Sequence, residues 1–196
     1  MVTGMPAVRA PRADAARNRE RILVAAKDVF GAAGDQAQMD DIARAAGVGV
    51  GTLYRHFPNK DALIGELIRL KFVGIRERAE RYLAEAGDPW ESLTAFIRES
   101  AEQMAEDQAQ QRMMWLATDA AFDVARPAQQ ELAAVTAELV GRAHKAGVLR
   151  KDWTAEDLPA LMCALSSSMQ MGAQGHSPVP YDWRKLLQVT LDGLRA

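Results

Sequence analysis

Apolar residues along this chain recur at spacings of three and four, and nowhere alternate with a period of two long enough to mark a strand. Ile22, Ala25, Ala26, Val29 and Phe30 share one face of a helix predicted over residues 14–33, which Gly34 ends. Two short helices follow, one over 39–46 with Asp40 and Asp41 in a first turn whose dipole favours anions, the other over 50–57. A long fourth helix starts at Asp61 and carries Leu63, Leu67, Leu70 and Ile75, ending near Gly87. Asp88-Pro89-Trp90-Glu91 combines a capping carboxylate, a proline at the first helical position and a following acid. That start leads into a fifth helix with Leu93, Phe96, Ile97, Ala101 and Met104 inward. A break over 107–110 precedes a sixth, Met- and Trp-rich segment over 112–122. Pro127 opens a seventh helix bearing Leu132, Val135, Leu139 and Ala143, closed by Gly147. Thr154 caps an eighth that runs through Leu158, Leu161, Leu165 and Met169 to Gly172. After a loop at 175–180, Asp182 caps the last, with Leu187, Leu191 and Leu194. The pattern predicts an all-α fold of about nine helices, without internal repeats.

Composition adds exclusions. With 196 residues, 48% hydrophobic and 26% charged, the chain has the make-up of a globular protein with a substantial core. A net charge of −2 excludes a surface coated in cations but leaves room for a local basic footprint. Such a footprint is present: Arg9, Arg12, Arg17, Arg19 and Arg21 outnumber Asp14 and Glu20. Residues 1–13, aperiodic and holding Pro6 and Pro11, read as a mobile basic arm. The single Cys163 permits no intramolecular disulfide, fits a reducing compartment, and reads as a small buried apolar residue. Neither a membrane-spanning run nor a signal-peptide core is evident, so the expected location is cytoplasmic, with no membrane partner. His144 and His176 stand without a second ligand at metal-site spacing, so neither metal nor cofactor is expected. An enzyme on a helical bundle finds no support: there is no Ser/His/Asp or Cys/His set, glycine-rich phosphate loop or Glu-x-x-His pair.

The densest chemistry lies between Ile42 and Lys60. Two short helices hinged at Gly47, with the small Ala43 facing the turn, make a helix-turn-helix, a unit that lays its second helix in the DNA major groove. Val48, Leu53 and Phe57 would pin that helix to the first one. Val50, Gly51, Thr52, Tyr54, Arg55 and His56 are left outward or sideways. Arg55 suits a bidentate guanine contact, Val50 a thymine methyl, and Gly51 a close approach. Thr52, Tyr54, His56 and Lys60 suit phosphates, Lys60 beside a helix N-terminus. The bland alternative is a surface hairpin in which Tyr54 and His56 merely pack.

Arg21-Ile22-Leu23, Ala25-Ala26, Phe30, Gly34, Ile42-Ala43, Ala46-Gly47-Val48, Gly51-Thr52-Leu53-Tyr54, His56-Phe57 and Asn59-Lys60-Asp61 resemble the N-terminal signature of TetR-family repressors. The resemblance covers about residues 17–63. It implies a DNA-binding domain over 14–60 and an effector-binding and dimerisation domain over 61–196. It also implies a ligand-responsive regulator, a repressor in most such proteins, that binds a palindromic operator as a homodimer and is released by a small-molecule effector. Three positions depart from the pattern. Asp35 replaces an aromatic, Gln38 replaces a threonine that caps helix two and touches phosphate, and Gly49-Val50 replace Ser-Lys. They motivate the alternative of a small-molecule-binding helical protein with weak or lost DNA recognition.

In the C-terminal half the resemblance implies an effector pocket among helices five to seven and a dimer seam on eight and nine. Met104, Met113, Met114, Trp115, Asp119, Phe122 and Met169 are the candidate lining; plain core is the equal alternative for the apolar ones. Acids at Glu99, Glu102, Glu106, Asp107, Asp119 and Asp123 fit a solvated face, a cation-preferring pocket being the alternative. Leu161, Leu165, Ser168, Leu187 and Leu191 are the candidate seam, the small Ser166-Ser167-Ser168 run allowing close approach, with intrachain packing as the alternative.

Overall fold

The computed structural model describes residues 11–85, 87–173 and 182–196. Their elements are α1 (Pro11–Ala33), α2 (Met39–Ala46), α3 (Val50–His56), α4 (Lys60–Ala84), α5 (Pro89–Glu106), α6 (Gln108–Met114), α7 (Asp119–Lys145), α8 (Leu158–Ala173) and α9 (Trp183–Leu194). One isolated antiparallel bridge, Leu149 to Arg195, fastens the chain's end to the α7–α8 connection, and no strand forms among the described residues. Most of the predicted arm and the 175–180 loop, including His176, lie outside the described residues; Pro11–Ala13 of the arm already belong to α1.

The helix ends follow their capping chemistry. Asp88 accepts from the backbone N–H groups of Trp90 and Glu91, both at 3.0 Å, as its sequence position predicts. Asn59 caps α4 by accepting from Ala62 N–H at 2.8 Å. The turn after α2 is closed by two backbone bonds, Val48 N–H to Ala43 O at 3.0 Å and Gly47 N–H to Arg44 O at 3.1 Å. That arrangement needs the left-handed conformation Gly47 adopts, φ 61° and ψ 40°, which glycine reaches without steric cost.

One boundary differs from the sequence expectation. Pro127 does not open α7 but lies inside it: the α5–α6 break falls at Asp107, within the expected 107–110, whereas the α6–α7 break falls at 115–118, well ahead of Pro127. The start is set by Thr118, which caps α7 by accepting from Ala121 N–H. Asp107, meanwhile, ends α5 and caps α6 at once, accepting from Gln110 N–H at 3.0 Å.

Two apolar clusters fill the fold. The first joins α1, α2 and α3 through Ile22, Phe30, Ile42 and Leu53, all fully buried, and reaches onto α4 (Leu63 to Ile68), Met113 of α6, and Ala121 and Ala125 of α7. The core beneath the helix-turn-helix therefore does not stop at residue 60. The second joins α5 with the far half of α7 and with α8 and α9, around Leu93, Phe96, Ile97, Leu139, Leu165 and Leu191. Helices α4 and α7 pack along each other and connect the two. They approach closely at Gly65, where an added Cβ would lie 2.6 Å from Ala121 O and 2.7 Å from Val124 Cβ.

Candidate nucleic-acid interface and effector region

The helix-turn-helix rests on α1. Leu53 and Phe57 are buried at 0% and 3% exposure and seat α3 on the first cluster, with half-buried Val48 packed beside them. Arg21 of α1 reaches across to donate to Gly47 O at 3.1 Å, holding the turn against the first helix. Pinning this side of α3 turns Val50, Gly51, Tyr54 and Arg55 outward together, because they sit at i, i+1, i+4 and i+5. Val50 is 42% exposed and Tyr54 45%. A Cβ on Gly51 would meet nothing within 4 Å, so no intrachain packing requires a glycine there.

The remaining candidates surround this face. Thr52 is half-buried and its Oγ1 accepts from Arg55 Nη2 at 3.0 Å, while Arg55 Nε donates to Gly51 O at 3.3 Å. Arg55 is thus folded back along α3. His56 is half-buried beside Phe57, ring centroids 6.4 Å apart. Gln38 is exposed at the start of α2; its side chain donates to Gln36 O at 3.0 Å and caps nothing. Lys60 donates to Asp35 O at 2.8 Å and lies over the Phe30 ring at 5.5 Å. Residues 1–60 hold nine Lys and Arg against six acids, so the overall negative charge resides in the remainder. An open groove of about 540 Å³ between α1 and α2 is lined by Arg17, Arg21, Glu20, Asp28 and Val24, so its own charges balance.

Three residues outside the sequence candidates tie this domain to the body. Glu66 of α4, almost fully buried, accepts from Arg19 of α1 at 2.6 Å and bidentately from Arg69 at 2.8 and 2.7 Å. Burial alone pushes the Glu66 carboxyl upward, yet hydrogen bonds from Arg69 and Arg19 and their charges outweigh it and hold its pKa below the usual carboxylate range. Arg19 also lies 5.3 Å over the Phe57 ring at the end of α3. Two further ties are Thr118 Oγ1 donating to Asp61 at 2.8 Å and the Lys27–Asp107 ion pair. A depressed folded-state pKa gives stability that is present above the unfolded value of about 4.3 and lost as pH falls through the folded one. Glu66→Gln should therefore cost about 1–3 kcal/mol at pH 7 in urea unfolding, and the cost should shrink at pH 4 and below. A pH-independent difference would contradict it.

The seven candidate pocket residues do not converge. Met113 is fully buried in the first cluster, with half-buried Met114 and Phe122 packed on it. Met104 and Met169 are buried in the second. Trp115 is 62% exposed and Asp119 is exposed, since the break at 115–118 carries them to the surface. The acids are mostly spent in ion pairs: Glu99 with Arg78 and Arg81, Glu102 with Arg184, Asp107 with Lys27, Asp123 with Arg126. Among the seam candidates, Leu165, Leu187 and Leu191 are buried at 0%, 4% and 1% by their own chain, because the inner stripes of α8 and α9 face α5 and each other. Leu161 and Ser168 are half-buried. Cys163, expected inside, is exposed on the opposite face of α8.

Comparison with known proteins bears on both halves. Residues 22–67 match a family model described as bacterial regulatory proteins, tetR family. Residues 88–196 match one described as transcriptional regulator SbtR-like, C-terminal domain. The chain is 35% identical over 80 residues to the HTH-type transcriptional repressor KstR of Mycolicibacterium smegmatis, spanning 40% of this chain and only 39% of that one. Among solved structures, a TetR transcription regulatory protein from Mycobacterium vanbaalenii is 32% identical, with 95% of this chain and all of that one covered at a TM-score of 0.64. FadR of Thermus thermophilus, a transcriptional repressor solved with lauroyl-CoA, is 30% identical, with 89% and 91% covered at a TM-score of 0.61.

Proposed function

Since the chain belongs to the TetR family of bacterial transcriptional regulators, we propose that it is a ligand-responsive repressor, binding a palindromic operator as a homodimer and leaving it when a small-molecule effector binds. The observation that carries this reading is the outward face of α3. Val50, Gly51, Tyr54 and Arg55 are exposed and serve no packing role, while Leu53 and Phe57 hold the helix down. A helix displayed this way, on a locally basic domain, is suited to base edges through its first turns and to phosphates at its flanks. Selection from a random duplex pool tests it: a repressor enriches an inverted repeat and shifts it as a dimer. Recovery of no sequence preference at low salt would refute it.

The seam belongs on the faces of α8 and α9 that their own chain leaves bare. Met171 is 58% exposed, Leu186 38% and Val189 69%. Ala160, Cys163 and Ala164 continue the strip on α8 with small side chains that allow helices to approach closely. Leu186→Asp with Val189→Asp should weaken the dimer by about 2–4 kcal/mol, seen as monomer in sedimentation velocity at micromolar concentration, and weaken operator binding with it. A dimer that survives both changes would place the seam elsewhere.

Release would run through α4. Its first turns touch the DNA-binding helices at Glu66 and α7 at Gly65, and Asp61 is bonded to Thr118. A ligand that favours one α4 position over another shifts the spacing of the two recognition helices only by its differential affinity for the two states. The lauroyl-CoA held by the Thermus thermophilus relative makes acyl thioesters a reasonable first class to screen.

A further inference from the structure

The seven-residue α6 is held on two opposite sides. Ala109 and Met113, one turn apart, share the side toward α1, where Met113 is fully buried in the first cluster. Gln111, between them and half a turn around, is 5% exposed and accepts from Ser166 Oγ of α8 at 3.1 Å. On α1 the matching residues are Lys27 and Gly31, also one turn apart. Lys27 pairs with Asp107, the cap of α6. An added Cβ on Gly31 would overlap Ala109 Cβ and lie 3.0 Å from Ala109 Cα, so α1 and α6 meet at a separation that only glycine allows. α1 in turn carries α3, through Leu53, Phe57 and the Arg21 bond to Gly47, and α8 carries the bare strip assigned above to the seam. α6 thus links the support of the recognition helix directly to the seam helix, apart from the α4 path through Glu66. One tie leaves the DNA-binding helices free to swing about it. A second tie, off that axis, stops the swing.

We propose that α6 is the strut that sets the distance between the two recognition helices, with Gly31 and Gln111 as the spacing-determining residues at its two contacts. This rests on the dimeric-repressor reading above and adds what selects the separation of the half-sites. One base pair more or less between half-sites moves them by roughly 3.4 Å and turns them by roughly 34°. A rigidly mounted pair of helices therefore accepts one spacing, and a loosely mounted pair accepts several. Close-packed contacts hold discrete arrangements and do not deform continuously, which suits α6 to fix one angle. Neither Gly31 nor Gln111 lies on the outward face of α3, so their effect falls on spacing and leaves the reading of each half-site alone.

The test uses the full chain and three kinds of duplex: the selected inverted repeat, the same repeat with its spacer one or two base pairs longer or shorter, and a single half-site. Wild type should bind the selected spacing ten times or more tightly than the altered ones. Gly31→Ala should stay dimeric and bind the single half-site within about twofold of wild type. It should bind at least one altered spacing within about threefold of the selected one. Adding Ala109→Gly, which removes the overlapping methyl, should restore the wild-type profile. Gln111→Leu with Ser166→Ala frees α6 from α8 without leaving either partner unpaired, and should flatten the profile in the same way. That pair decides the question if Gly31→Ala fails to fold in a thermal melt. A loss on the single half-site as large as on the full repeat, no rescue by Ala109→Gly, or an unaltered profile in both variants would overturn the inference. A wild type that binds inverted repeats at every spacing alike refutes the role of α6 alone, whereas one that enriches no inverted repeat refutes the repressor.

Discussion

Arg55→Ala is expected to lower operator affinity between about 30-fold and 10⁴-fold, with the fold intact. A bidentate arginine–guanine contact discriminates by roughly 1–3 kcal/mol. A two-fold dimer loses it twice, and every 1.4 kcal/mol is about tenfold. The side chain is exposed, and its present partners, Thr52 Oγ1 and Gly51 O, lie on its own helix, so their loss costs the fold little. On DNA the guanidinium would exchange these two acceptors for a base edge, a swap that a side chain bonded only to its own helix can make. The variant should also tolerate any base pair at one position of each half-site. Tyr54→Phe, by contrast, should weaken all duplexes alike and leave the salt dependence unchanged, since the phenol carries no charge. Titration of fluorescent duplexes over a salt series checks both. Unchanged affinity in Arg55→Ala would remove this residue from the interface.

Gly65→Val is expected to lower the melting temperature by roughly 6–12 °C. The added Cβ would stand 2.6 Å from the Ala121 carbonyl oxygen and 2.7 Å from Val124 Cβ. Backbone and a β-branched side chain have no room to swing away, so α4 and α7 must part. Overpacking of this kind costs about 1–3 kcal/mol and more for a branched residue, against a gain of under about 1 kcal/mol in helix propensity. Because α4 and α7 meet here beside Glu66, the variant should also uncouple DNA release from effector binding. A melting temperature within a degree of wild type would show that the helices slide apart freely.

The comparison between sequence and structure divides along a physical line. Local chemistry was legible: the Gly47 turn, the Asp88 cap, the burial of Leu53 and Phe57, and the exposure of Tyr54 are set by neighbours within a few residues. Pro127 misled because proline opens helices more often than it interrupts them, and Thr118, the residue that caps α7, looks unremarkable in sequence. Leu165, Leu187 and Leu191 could not be assigned to core or seam by periodicity, since both uses place leucines at the same spacing. Only the identity of the covering helices decided it. The α4 stripe slipped for a related reason: Leu70, read into it, is 38% exposed, while Leu67 and Ile68 just before it are buried. The ion pairs of Glu66 and Asp107 link residues far apart in the chain, and no spacing rule anticipates them.

The account turns on α3 entering the major groove from two subunits at once. Methylation interference on the selected duplex probes this most directly, since N7 of guanine lies in that groove. The expected pattern is two patches of interfering guanines, about one helical turn or a multiple of it apart and related by the two-fold axis, and absent for Arg55→Ala. A single patch, or a footprint confined to the phosphates with no guanine required, would contradict the central claim.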